Sequence, residues 1–182
     1  TQIDETDINL LQDSGAHVIH CPESNLKLAS GFCPVDKLLR ANINVALGTD
    51  GAASNNDLNL FSELKTAALL AKAVAGNAAA LDAHSALRLA TLNGAKALGM
   101  EDVIGSLEVG KSADITAVDL GDLAMQPVYN PASQLVYTHA GNAVTHVWVE
   151  GKVLLANRLL QTLNEREILG KANWWRKQIT AL

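Results

Sequence analysis

Asp50 is the residue of this sequence best placed for chemistry. It follows the short apolar run Val45-Ala46-Leu47, with Gly48-Thr49 between. In parallel α/β folds the ligand site lies beyond the carboxyl ends of the strands. A carboxylate there can ligate a metal or act as a general base. It can equally cap a turn, with Gly51 supplying a positive φ, and the spacing leaves both open. His20 closes an earlier apolar run, residues 16–20, and so holds the same relative place. His17 is three residues earlier, an odd offset that points it to the opposite face, so the pair is not a bidentate metal site. Ser24, Asn25, Ser54, Asn55 and Asn56 stand in the segments after the two runs. There they can position a substrate or satisfy loop backbone groups. A catalytic zinc takes about three protein ligands. Asp50 is one, and the chain contains no His-x-His pair. A metal site, if one exists, therefore lies mostly outside this chain. There is no His-Glu-x-x-His, no Gly-x-Ser-x-Gly and no Gly-rich phosphate loop.

These residues need elements to hold them. Thr6 and Asp7 read as the start of a short helix that Ser14-Gly15 ends. Residues 16–20 read as a buried strand, and 21–31 as a loop. Pro34 suits the first turn of a helix carrying Val35, Leu38 and Leu39. Residues 44–48 form the second strand. Both strands are apolar rather than alternating, as in parallel sheets covered on both faces. Asp57 is placed to cap a long helix reaching about Ala75, and Asp82 a second reaching about Leu98. The pattern changes near residue 105. Short β patterns follow at 114–119, 134–138, 145–150 and 152–155, with a tight hairpin expected at Glu150-Gly151. Asn164 is placed to cap a last amphipathic helix to about Ile179.

Composition bounds the function classes. The 182 residues are 48% hydrophobic, 18% charged and 4% aromatic, with a formal net charge of -5. The mean hydropathy is +0.11. This is a globular composition with enough apolar residues for a core, not a disordered one. A pI near 5.4, with no basic cluster beyond residues 171–177, argues against a nucleic-acid partner. No run reaches the roughly 18 apolar residues of a membrane span. Cys21 and Cys33 make no disulfide framework, which fits a reducing, cytoplasmic setting.

Two long stretches carry a resemblance. They are His20-Cys21-Pro22-Glu23-Ser24-Asn25-Leu26-Lys27-Leu28-Ala29-Ser30-Gly31 and Val45-Ala46-Leu47-Gly48-Thr49-Asp50-Gly51-Ala52-Ala53-Ser54-Asn55-Asn56. Residues 90–99 and 104–114 continue it. The sequence resembles the amidohydrolase superfamily, within it the 5-methylthioadenosine/S-adenosylhomocysteine deaminases and the related triazine chlorohydrolases and aminohydrolases. The resemblance implies an α/β fold: the C-terminal part of a (β/α)8 barrel, strands seven and eight with their helices, plus part of a small β-sandwich and a terminal helix. It implies that Asp50 is the strand-eight metal ligand and the group that shuttles a proton. It implies that His20 matches a strand-seven position near the pocket, and His20, Ser24, Asn25 and Ser54 are the expected substrate-binding residues. It implies one Zn²⁺ or Fe²⁺ per full-length subunit, held mainly by residues that precede this chain, so that the metal is absent or incomplete here. The implied substrate is a small nucleoside or heterocyclic amine, and the implied assembly a homo-oligomer.

Two βα units cannot close a barrel, which takes about 250 residues. The expectation is therefore the C-terminal portion of a longer protein. It divides into residues 1–104 from the barrel, 105–160 from the β-sandwich, and 161–182 as a helix packing back on the barrel. Three functions stand: a nucleoside deaminase, a triazine hydrolase, and a catalytically inert fragment that folds only by pairing.

Overall fold

The computed structural model describes residues 2–180; the expected domain limits at residues 1 and 182 lie outside them. The order begins α1 (Glu5–Ser14), β1 (Val18–His20), α2 (Pro22–Lys27), α3 (Val35–Arg40), β2 (Val45–Leu47). The chain is mixed α/β. β1 and β2 pair in parallel, with Val18 opposite Val45, Ile19 opposite Ala46 and His20 opposite Leu47. The helix before β1 starts two residues earlier than expected. Asp4 is its N-cap, and Asp7 at the third helical position returns the bond, a capping box built from two aspartates.

The expected loop at 21–31 contains α2. Pro22 sits at its first helical position, where a missing N–H costs nothing. An alanine at Gly48 would place its Cβ 3.0 Å from Ile19 Cγ2 and 3.1 Å from Cys21 Sγ. A side chain there would press Ile19 and Cys21 back by a few tenths of an ångström, so glycine suits the close passage of the β2 exit past β1.

α4 (Leu60–Ala75) is the longest helix. Its N-cap is Asn59, not Asp57; the Asn59 side chain accepts from the Phe61 N–H at 3.0 Å. The single helix expected over 82–98 is two, α5 (Ala83–Leu89) and α6 (Leu92–Ala97). Tertiary bonds outweigh helix continuity there. Asn44 Nδ2 donates to the Asn93 carbonyl at 3.0 Å, and Asn93 Nδ2 donates to the Val45 carbonyl at 2.9 Å. This exchange turns α6 onto the edge of β2.

The β patterns are met at β3 (Ile115–Val118), β4 (Val144–Val149) and β5 (Lys152–Ala156), and β6 (Leu159–Leu160) completes an antiparallel sheet in the order β3-β4-β5-β6. The hairpin lies at Glu150-Gly151, φ 51° and 74°, the left-handed pair that two-residue hairpins favour. The pattern at 134–138 is not a strand. It lies in the helix α7 (Pro131–Tyr137), capped by Asn130 through the Ser133 N–H. An asparagine cap followed by proline at the first helical position is a helix start. The apolar run behind it misleads because Val136 is wholly buried in the helical core.

One core dominates. Leu38, Val45, Leu64, Ala67, Ala68, Leu89 and Val136 all lie within it. Ala132 and Val136 join it from beyond residue 105, so a division at 104/105 does not separate the cores. A smaller cluster of Met125, Ala140 and Ala143 lies toward the four-stranded sheet. The last helix, α8 (Glu165–Ile179), is capped by Asn164 as expected, but none of its residues is buried. The expected packing against a barrel is not seen within this chain. Among the described residues no helix is long and apolar enough to cross a membrane.

Candidate functional site

Asp50 lies three residues beyond β2, in a left-handed conformation with φ 61°. Aspartate is one of the few side-chain-bearing residues that tolerate this region. Its side chain is fixed by three donors. The Gly51 N–H bonds Oδ1 at 2.8 Å. The Ser24 and Ser54 hydroxyls both donate to Oδ2, each at 2.9 Å. The Gly51 N–H, with the two hydroxyls behind it, holds the Asp50 carboxyl below the usual carboxylate range. It is therefore anionic at neutral pH and exposed at the end of the strand.

Two segments converge on that carboxylate. Ser24 comes from α2 after β1, and Ser54 from the loop after β2. Lys27 at the end of α2 joins them again, donating to the Ala53 carbonyl at 3.2 Å and to Asn56 Oδ1 at 2.8 Å. A lysine bonded to two loop acceptors fixes one loop against the other.

Among the expected site residues, the structure joins Ser24 and Ser54 to Asp50. Asn25 is half-buried on α2 beside Ser24. His20 is 2% exposed, and neither ring nitrogen has a hydrogen-bond partner among the described residues. Burial holds its imidazole down, from 6.5 to about 4, so His20 is neutral near pH 7.

Glu63, on α4, is a site residue that sequence reasoning missed. It is fully buried. Its Oε2 accepts from the Glu23 N–H at 3.0 Å, and its Oε1 accepts from Asn55 Nδ2. Thr66, one turn on, donates to Glu23 Oε1 at 2.9 Å. A signal was there to read: Glu63, Ala67 and Ala71 recur at every fourth position, and alanines at that spacing mark a buried stripe.

Burial pushes the Glu63 carboxyl up, from 4.5 to about 7, against the pull of the Glu23 N–H. Across that interval the folded chain holds a proton that the unfolded chain releases, so this group's contribution to stability falls as pH rises. His20 acts with the opposite sign, losing stability as pH falls from 6.5 toward 4. The Glu63 part is isolated by a difference. The urea midpoint of Glu63→Gln, relative to the parent, is expected to rise steadily between pH 4.5 and 7. A difference that stays flat with pH would contradict the buried acid.

An open cleft of about 370 Å³ includes Glu23, Thr66, Lys65 and His139 in its lining, but not Asp50, Ser24 or Ser54. Among the described residues no group of three His, Cys, Asp or Glu is placed to hold a metal ion. Among the described residues the site centres on one oriented carboxylate, Asp50, held by Gly51, Ser24 and Ser54.

Several known proteins resemble this chain over most of its length. The chain is 60% identical over 181 residues to a 5-methylthioadenosine/S-adenosylhomocysteine deaminase of Teredinibacter turnerae, which covers 100% of this chain and 41% of the relative. It is 45% identical over 179 residues to a 5'-deoxyadenosine deaminase of Methanosarcina acetivorans, covering 98% of this chain and 41% of that protein. A crystal structure of an adenosine deaminase from Xanthomonas campestris with bound zinc superposes with a TM-score of 0.97. It is 53% identical and covers 100% of this chain and 42% of its own. An atrazine chlorohydrolase from Arthrobacter aurescens, complexed with zinc, is 31% identical with a TM-score of 0.87, covering 94% and 38%. The chain thus spans about two fifths of the length of the curated relatives it matches. A family model described as the amidohydrolase family matches residues 1–154, and the chain belongs to that family.

Proposed function

We propose that the complete protein containing this chain is a metal-dependent hydrolytic deaminase of adenosine-type nucleosides, the 5-methylthioadenosine and S-adenosylhomocysteine class. The observation that carries the reading is the anionic Asp50 carboxylate, fixed by Gly51, Ser24 and Ser54 just past a parallel strand. The names of the relatives at 60% and 45% identity support it. In this reading β1 and β2 are strands seven and eight of a (β/α)8 barrel, and the sheet β3–β6 belongs to a smaller β domain.

Asp50 fits a divalent metal as one oxygen donor, the remaining ligands lying outside this chain. A zinc ion held there would supply Lewis acidity and make water acidic enough to lose a proton near neutral pH. The Asp50 carboxylate would accept a proton from the attacking water and return it to the departing amine. Water adds to the ring carbon that bears the amino group, and ammonia leaves. Ser24 and Ser54 keep the carboxylate aimed while it changes protonation state. His20, neutral and buried behind the strand end, and Asn25, on α2, belong to the substrate side of the site. Low polarity around His20 strengthens any hydrogen bond made there.

The test is ammonia release by the complete, zinc-loaded protein. It should release ammonia from 5-methylthioadenosine, S-adenosylhomocysteine and 5'-deoxyadenosine, and little chloride from a chlorotriazine. Absence of ammonia release from all three nucleosides at full zinc occupancy would sink the proposal. Chloride release without deamination would move the protein to the triazine hydrolases.

A further inference from the structure

Glu63 is the only acidic side chain among the described residues in the fully buried class. Burying a carboxylate costs stability that an alanine or leucine on the same helix face would not. The packing of α4 gives no reason for it, since its neighbours on that stripe are Ala67 and Ala71. All its hydrogen bonds run outward, to the two segments that carry the site. One oxygen takes the Glu23 N–H at 3.0 Å, and the other takes the Asn55 amide. Asn55 is itself held, because its Oδ1 accepts from the Leu58 N–H at 2.9 Å.

The sequence positions make the arrangement specific. Glu23 is the chain neighbour of Ser24, and Asn55 is the chain neighbour of Ser54. Ser24 and Ser54 are the two hydroxyls on Asp50 Oδ2. Each oxygen of Glu63 therefore fixes the residue next to one of the serines, and both serines fix the same oxygen of Asp50. Displacing either arm shifts a hydroxyl that has one productive position. We propose that Glu63 is a positioning residue for Asp50, acting through the Glu23 N–H and the Asn55 amide to fix Ser24 and Ser54. The proposal rests on the reading of Asp50 as proton acceptor and metal ligand.

The polarity of the bonds supplies a test. Above pH 7, where the Glu63 carboxyl is ionised and accepts on both oxygens, glutamine at position 63 keeps one acceptor and gains a donor, so it satisfies the Glu23 N–H and faces the Asn55 amide with a like group. Aspartate at position 55 reverses that pair. It accepts from the new glutamine and still accepts from the Leu58 N–H. Glu63→Gln should therefore fail, and Glu63→Gln with Asn55→Asp should recover.

The measurements are made on the complete protein. Glu63→Gln is expected to lower kcat by about 10–100-fold, the usual effect of losing a partner behind a metal ligand. KM should hold, as when an interaction made only in the transition state is lost. Zinc affinity, read by chelator competition without substrate, should fall by about the same factor of 10–100. In a Ser24→Ala/Ser54→Ala background, adding Glu63→Gln should change kcat by less than about twofold, the scatter of uncoupled sites. The Asn55→Asp partner substitution should restore both kcat and zinc affinity. Should Glu63→Gln fail to fold, Asn55→Ser cuts one arm alone and is read by the same criteria.

Parent-like kcat and zinc affinity in the folded single variant would overturn the proposal. So would a full additional loss in the serine-free background. Asp50→Asn, measured in parallel, separates the two levels. If it is active at full zinc occupancy, the reading of Asp50 itself has failed. If it is inactive while Glu63→Gln is parent-like, only the role of Glu63 has failed.

Discussion

Asp50→Asn in the complete protein is expected to lower kcat/KM on 5-methylthioadenosine or S-adenosylhomocysteine by about 10²–10⁴-fold, the range for losing a general base. The amide keeps the size of the carboxylate and one oxygen. It cannot take up and return a proton near neutral pH. Weaker metal binding adds to the loss, because the anionic donor is gone. The serines will re-pair: with Oδ1 kept on the Gly51 N–H, the asparagine Nδ2 stands where Oδ2 was and donates to the Ser24 and Ser54 hydroxyl oxygens. The loss is therefore chemical rather than a collapse of the loops. Zinc content must be measured alongside. Near-parental activity at full occupancy would remove Asp50 from the mechanism. Cys21→Ala and Cys33→Ala should stay within a few fold, because hydrolysis through water forms no covalent enzyme intermediate. Burial raises both thiols above their usual range, which is the wrong direction for a nucleophile.

The second large effect is on stability. Leu38→Ala is expected to cost about 2–5 kcal/mol, the range for leucine truncation in a packed core. Leu38 is 0% exposed on α3, which packs against β2 and α4. The loss is a sizeable part of a typical total of about 5–15 kcal/mol. It should appear as a lower urea midpoint with an unchanged slope. A change under about 1 kcal/mol would mean that the core closes over the missing methyls, a result outside the usual series. Because the loop that follows β2 carries Asp50, activity should follow the folded fraction in this variant rather than fall ahead of it.

What could be read from the sequence follows from how local each signal is. Asp50 stood out because a carboxylate after an apolar strand is a local pattern, and the structure places it at the strand exit with two of the named residues on it. The parallel strand pair was legible from two apolar runs separated by a helix. The hairpin at Glu150-Gly151 was legible from one dipeptide. The earlier start of α1, the helix α2 and the Asn59 cap of α4 rest on local signals left unread, whereas the larger misses are cases where distant partners outweigh local preference. Residues 134–138 look like a strand until Val136 is seen buried in the helical core and Asn130 seen capping the helix. The break between α5 and α6 depends on Asn44 and Asn93, 49 residues apart. Glu63 was invisible as a site residue because its partners are 40 and 8 residues away. A glutamate within a helix reads as solvent-facing unless its fourth neighbours are noticed.

The left-handed backbone at Asp50 changes what a mutational scan of this position would report. With φ at 61°, β-branched residues are disfavoured before any chemistry is considered. Asparagine and glycine accept the conformation, and alanine accepts it at a cost. A scan scored by activity alone would show nearly every substitution as dead and so conceal two separate filters. Scored also by abundance of folded protein, it should split. Asparagine and glycine variants would be plentiful and inactive, and valine and isoleucine variants scarce as well as inactive. Evolution toward another reaction at this site thus has few routes open at position 50, and the flanking serines, free of that backbone constraint, are where variation can accumulate.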